Sequence, residues 1–188
     1  MRTTIWIALV CAFVLPRTAA AQASQAGPAA PPATMASTTG QWWKMLEKSF
    51  VDLAEAMPEE KWTFKPSGGA FGDVRTFAEQ VKHVACANEA FASEVGHKEP
   101  PPACDTGGPN PAKSKAEIMQ YLRQSFAQMN AVFTGTTPAN ALDAAGGPYG
   151  GQSTRLGLAT LAIWHASDHY GQLVVYLRMN GIVPPASR

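Results

Sequence analysis

The run from Thr154 to Met179 contains no proline and stops at Asn180-Gly181, ahead of Pro184-Pro185. Along it Leu158, Leu161, His165, His169, Gln172 and Tyr176 recur at three- and four-residue steps. An α-helix turns once in about 3.6 residues, so these positions share one face. A helix of this length with such a stripe must bury it against other helices. The stripe also carries two imidazoles one turn apart, directed toward one end of the core.

Three further segments read the same way. The first is Gln41 to Met57, with Trp42, Leu46, Phe50 and Leu53 on one face and Pro58 after its end. The second runs from Asp73 to Val95, with Phe77, Val81, Val84, Phe91 and Val95 as its stripe and Gly96 as its stop. The third runs from Ser114 to Phe133. Ser114 and Glu117 have capping-box spacing, and Ile118, Leu122, Phe126, Met129 and Phe133 form its stripe. The connections, from 59 to 72, 98 to 111 and 135 to 151, are rich in Pro and Gly. No stretch alternates apolar and polar residues, so no sheet is expected. An all-α, up-and-down four-helix bundle with long connecting loops accounts for this pattern, and loops of such length are often functional.

The N-terminal residues read as something other than fold. Met1 to Thr4 is a short basic start, Ile5 to Leu15 is apolar, and Ala19 to Ala23 supplies small residues for cleavage. This is the layout of a signal peptide over residues 1–23. The apolar run falls short of the roughly 20 residues of a membrane span; an uncleaved anchor is the alternative. Cys11 sits inside the apolar run, away from the cleavage point, which gives lipid anchoring little support. Residues 24–40 have no charge and little apolar bulk, the composition of a disordered linker. The domain is then 41–188, in a periplasmic or secreted protein with no stable membrane insertion after cleavage.

Without Arg2 and Arg17, Lys+Arg falls to 13 against 14 Asp+Glu. A near-neutral domain argues against a nucleic-acid partner held by phosphate contacts. Cys86 and Cys104 remain as an even pair in an exported chain, one on a helix and one in a Pro-rich loop. They favour a disulfide over two free thiols.

The chain has four histidines. His165 and His169 can chelate one ion; buried without partners for their ring nitrogens, they would be costly. The alternative is two neutral rings bonded to backbone or carboxylates. His83, borne by the second helix, is the better third ligand, and His97 falls in a charged loop. Glu79 and Asp168 are placed to orient a ligand, or else are solvated charges.

The run His165-Ala-Ser-Asp-His169-Tyr-Gly171-Gln172-Leu-Val-Val-Tyr176-Leu177-Arg178-Met-Asn-Gly181-Ile-Val-Pro184-Pro185 resembles the C-terminal signature of the DinB-like family. This is the damage-inducible, metal-dependent hydrolase family, distinct from the translesion polymerase of similar name. Phe77-Ala-Glu-Gln-Val-Lys-His83-Val-Ala-Cys-Ala-Asn88 resembles its second-helix motif, and Trp62-Thr-Phe-Lys-Pro66 its first connection. The resemblance implies a four-helix bundle in which His83, His165 and His169 bind a divalent metal, zinc or nickel. It leaves the reaction open, since some relatives are transferases or isomerases that use low-molecular-weight thiols.

Two functions of different class follow. One is a metal-dependent hydrolase or transferase acting on a small-molecule substrate, with a metal position open toward a cleft lined by Trp62, Phe64 and Phe71. These aromatics could instead cap the core. No nucleophile motif, phosphate loop or pair of catalytic carboxylates is present; Tyr149 and Tyr170 are candidate donors, or packing residues. The other is a metal-stabilised binding or scaffold bundle without turnover. A third is a homodimer, in which the metal site is vestigial and the bundle acts as a dimerisation module.

Overall fold

The computed structural model describes residues 31–148 and 151–188. The signal-peptide segment, Cys11 and Tyr149 lie outside the described residues. Among the described residues, four α-helices make up the bundle: α1 Met35–Ala56, α2 Phe77–Val95, α3 Lys115–Thr134 and α4 Arg155–Met179. Among the described residues, no helix is long and apolar enough to cross a membrane.

Capping sets where these helices begin. The Thr76 hydroxyl accepts from the Glu79 backbone N–H while the Glu79 carboxylate accepts from Thr76 N–H, so α2 starts at Phe77 rather than Asp73. Ser114 and Glu117 repeat the arrangement at α3. The double hydrogen bond to the Glu117 carboxylate holds it down to about 2. At α1 the same box forms between Thr34 and Ser37. Met35–Gly40, read from composition as linker, are therefore helical, and Gly40 is buried beside Phe133.

The buried stripe of α1 runs Trp43, Phe50, Leu53 and Met57. Trp42, expected on that face, is 54% exposed, whereas Trp43 is fully buried. The Trp43 ring stacks on Phe133 (centroids 5.2 Å apart) and tilts against Phe126 (4.8 Å). The α3 stripe is buried as read, from Ile118 to Phe133. On α4, Leu158, His169 and Tyr176 are buried, Leu161 and His165 half-buried, and Gln172 exposed.

Helix directions follow from which residues meet. Trp43 packs on Phe133, while Glu55 bonds Lys115 and Arg123, so α1 and α3 are antiparallel. Gln80 meets Gln172 and His83 meets His165, so α2 and α4 are antiparallel. Lys61 reaches the Asn180 carbonyl and Phe50 faces Tyr170, so α1 and α4 run the same way. The bundle is all-α with four helices, as read, but it does not alternate strictly. The chain runs up α1, down α2, down α3 and up α4. The principal packing pairs are α2 with α3 and α4, and α1 with α3 and α4. Because α2 and α3 are parallel, the segment 96–114 must travel back along the length of the bundle. That return explains the length of the connection.

One expectation on the loops fails. Ala144–Gly146 and Gln152–Thr154 form a short antiparallel hairpin before α4. Strands this short cannot show an alternating pattern.

Replacing Trp43 with Ala should cost about 3–5 kcal/mol of stability, the usual penalty for emptying an aromatic core site. Replacing Trp42 should change stability by less than about 0.5 kcal/mol. Urea unfolding of the two variants checks the helix register, which equal losses would contradict.

Candidate metal centre

The antiparallel contact of α2 with α4 brings together the three histidines singled out from sequence. His83 Nε2 lies 3.1 Å from His165 Nε2, and His169 Nε2 also lies 3.1 Å from His165 Nε2. Among the described residues, His83, His165 and His169 form a cluster whose ligand atoms all lie within 4.8 Å of one another. His97 is not part of it; it sits exposed just after α2 with φ of 52°.

Two of the rings are oriented from outside the cluster. His83 Nδ1 lies 2.7 Å from the Cys104 carbonyl oxygen. A carbonyl can only accept, so the ring carries its proton on Nδ1 and presents the Nε2 lone pair to the cluster. Cys104 is fixed in turn by a disulfide to Cys86, with Cα atoms 5.3 Å apart. His169 Nδ1 lies 2.8 Å from Gln80 Nε2 on α2. Gln80 Nε2 also donates to Gln172 Oε1 (2.6 Å), and Gln172 Nε2 donates to Asp168 Oδ2 (2.8 Å). His165 stands edge-on to Phe91, with centroids 5.7 Å apart. Its Nδ1 is buried with no hydrogen-bond partner among the described residues.

Burial, the leading cause in each case, keeps the rings neutral. His165 is pushed down to about 3, with the neighbouring His169 and His83 adding to the effect. His169 is pushed down to about 4, with help from His83 and Arg75. His83 is also lowered, against the opposing pull of the Cys104 carbonyl. Neutral imidazole is the form that ligates a metal.

The donor set fits a divalent transition ion with one condition. Three Nε2 atoms aimed at one another from a buried position need a shared proton or a cation between them. As the Gln80 amide stands, His169 Nδ1 accepts and its proton sits on Nε2, facing His165. Ligation through His169 Nε2 requires the Gln80 amide to turn over, so that Oε1 accepts from Nδ1–H; Gln172 must turn with it. No fourth His, Cys, Asp or Glu joins the cluster among the described residues.

The other expected site residues fall elsewhere. Glu79 caps α2 and does not touch a histidine. Asp168 reaches His169 only through Gln172 and Gln80. Trp62 is 4% exposed, donates to the Met57 carbonyl and packs edge-on against Phe77. Phe64 packs against Tyr176. These two aromatics pack onto the core, whereas Phe71 is 45% exposed. Tyr170 is half-buried and faces Phe50. Sequence reading missed Gln80 and the Cys104 carbonyl. A backbone oxygen leaves no mark in a sequence, and a glutamine one turn before a histidine is commonplace. A groove of about 510 Å³ lies between α1 and α3, bounded by Glu55, Lys115 and Arg123, away from the histidines.

A four-helix bundle with three histidines on its α2–α4 seam defines a class of candidate metalloproteins. The profile of the DinB superfamily matches residues 43–173, and the chain belongs to that family. No curated protein matches it. Among solved structures, a DinB-like protein from Bacillus cereus superposes with a TM-score of 0.63 at 17% identity, covering 78% of this chain and 93% of that one. A conserved protein from Enterococcus faecalis gives 0.62 at 14% identity, covering 78% and 97%. A DinB-like protein from Bacillus subtilis gives 0.57 at 19%, covering 77% and 92%. At these identities the likeness is one of fold.

Two predictions follow from the ring environments. The unfolded chain protonates its histidines near pH 6.5, whereas folded His165 and His169 resist until about 3 and 4. Between those limits the unfolded state binds more protons, so stability is lost as pH falls, by up to about 1.4 kcal/mol per pH unit for each such ring. Thermal melts of chelator-treated protein should show Tm falling from pH 7 to pH 4.5, and a flat profile would contradict the buried neutral rings. At Gln80, a glutamate should strengthen zinc binding by fixing an acceptor on His169 Nδ1. Leucine there should weaken it about 10- to 100-fold. Competition with a chelating dye measures both, and identical affinities would remove Gln80 from the site.

Proposed function

We propose that the protein binds one divalent transition metal, zinc or nickel, through His83, His165 and His169. We further propose that this centre serves a metal-dependent hydrolase or transferase acting on a small-molecule substrate. The observation that carries the reading is the convergence of three neutral imidazoles through their Nε2 atoms, with no fourth protein ligand among the described residues. Bound by three uncharged imidazoles, a divalent ion keeps its full charge and supplies Lewis acidity toward a substrate carbonyl or a water. The chain's own part is to hold the donors: the Cys104 carbonyl sets the tautomer of His83, and Gln80 is placed to set that of His169. Phe91 and the surrounding apolar residues limit water around His165.

Export to the periplasm or beyond fits the same picture. The Cys86–Cys104 disulfide belongs to an oxidising compartment. Reduced low-molecular-weight thiols are scarce there, which favours hydrolysis over thiol transfer. The second reading is a metal-stabilised bundle without turnover. It draws on Trp62 and Phe64, which close the core where a substrate cleft was expected.

Metal analysis of the purified mature protein should give one ion per chain. His169→Ala should lose it and melt at lower temperature, while His97→Ala should change neither. Full retention in the His169 variant would refute the ligand set. Calorimetry with acetohydroxamate then separates the two readings: binding to the loaded protein supports an open metal position, and none supports the scaffold.

A further inference from the structure

The returning segment between α2 and α3 meets the histidine cluster through a hydrogen bond between the Cys104 carbonyl oxygen and His83 Nδ1. The same residue is covalently tied to Cys86, which lies one helical turn beyond His83 on α2 and is fully buried. One loop residue is thus fastened twice to one stretch of helix, by a disulfide and by the hydrogen bond that sets the tautomer of a ligand.

The surrounding loop is shaped around that double attachment. The Cys104 carbonyl also accepts from Gly107 N–H at 2.9 Å, which fixes its direction within a tight turn. Ala103, before the turn, is left-handed at φ of 57°, a conformation that an alanine rarely holds unless its surroundings impose it. Gly108 has φ of 70°, and a Cβ there would overlap Cys86 Sγ, so its backbone packs against the sulfur. The other tethers are polar and less buried. Arg75 Nε donates to the Asp105 carbonyl at 2.8 Å, and Lys82 Nζ donates to the Ala112 carbonyl at 3.0 Å. The disulfide is the only covalent one among the described residues.

We infer that the Cys86–Cys104 disulfide sets the affinity of the metal centre, making it a redox-controlled site. With the bridge closed, the Cys104 carbonyl holds His83 as the Nδ1–H tautomer and aims its Nε2 into the cluster. The dithiol of a partner protein, not a small thiol, is the reductant that opens the bridge: one of its thiolates attacks a sulfur of the Cys86–Cys104 disulfide to form a mixed disulfide, and its second thiol displaces it. Two electrons and two protons pass to Cys86 and Cys104, and the dithiol leaves as its own disulfide. The left-handed turn is then free to relax, the carbonyl leaves His83, and the ring samples its other tautomer with the proton on Nε2. Tight metal binding is thereby confined to the oxidised protein. This inference rests on the reading that the three histidines hold a metal.

The test compares zinc affinity, by competition with a chelating dye, in three forms of the mature protein: oxidised, reduced with a phosphine that does not compete for zinc, and Cys86→Ala/Cys104→Ala. The double variant removes any direct ligation by freed thiols. Affinity should fall about tenfold or more in both forms lacking the bridge, the usual effect of removing a group that orients a metal-bound histidine. Equal affinities in forms that remain helical by circular dichroism would overturn the inference alone. Absence of zinc binding in every form would overturn the metal reading itself, and this inference with it. Should the forms lacking the bridge unfold, nitrogen-15 spectra of the intact oxidised protein without metal decide the matter. His83 should carry its proton on Nδ1, and a proton on Nε2 would overturn the inference.

Discussion

Three imidazole nitrogens gathered within 4.8 Å in a buried seam, with His165 Nε2 3.1 Å from each of the other two, are unstable unless something positive lies among them. Lone pairs facing one another repel, and water is too scarce to separate them. Much of what is unusual in this bundle answers to that requirement. The antiparallel packing of α2 on α4 sets the three rings at one level. The buried Gln80 gives His169 a partner on its outer nitrogen, and the Cys104 carbonyl does so for His83. His165, between them, has a buried outer nitrogen without a described partner. Its position in the cluster therefore depends on what the inner nitrogens share.

The second constraint is topological. In a strictly alternating bundle the α2–α3 connection would be a short turn at one end. Here α2 and α3 run parallel, and α2, at 19 residues, is about 28 Å long at 1.5 Å per residue. The chain from 96 to 114 could span roughly twice that if extended, so the return carries slack. Pro100, Pro101 and Pro102 stiffen it, and the disulfide takes up the remainder. Closing the 18-residue separation between the cysteines is worth on the order of 3 kcal/mol in the chain-entropy view. Without a fastening of this kind, a long return would be a poor place from which to aim a carbonyl at a ligand. The loop that the topology demands has become part of the wall of the candidate site.

How legible this was depended on where the information lay. The α3 stripe and the stop after α4 were readable because helical periodicity and Asn-Gly act locally. The histidine trio was readable because two of its members are one turn apart and the third lies on a helix. The α1 register was not settled by pattern, since Trp42 and Trp43 are adjacent and either can start a stripe; only packing against Phe126 and Phe133 decides between them. The start of α1 was hidden because its capping partner is Ser37 rather than an acid. The hairpin from Ala144 to Thr154 was hidden because its strands are too short to alternate. Helix direction could not be read at all: periodicity says which face is buried, not against which neighbour. The cysteine pair was readable from number and compartment, but its proximity to His83 depended on the topology.

The polar chain behind His169 adds a further step. Asp168, on the surface, can only accept when ionised, so it favours the Gln172 amide with its nitrogen outward and its oxygen toward Gln80. That in turn favours the Gln80 nitrogen toward His169 and leaves the ring's own proton inside the cluster. A metal requires the reverse at every link. A metal held by His169 Nε2 would call for that ring's proton on Nδ1 and for both amides reversed, the second without its bond to Asp168. The candidate centre is thus linked to a surface carboxylate through two side-chain amides, Gln80 and Gln172. On the opposite flank His83 needs no such reversal, because the Cys104 carbonyl already holds it in the ligating tautomer. A metal would find one flank of the cluster prepared by the disulfide and the other by exchange with a proton.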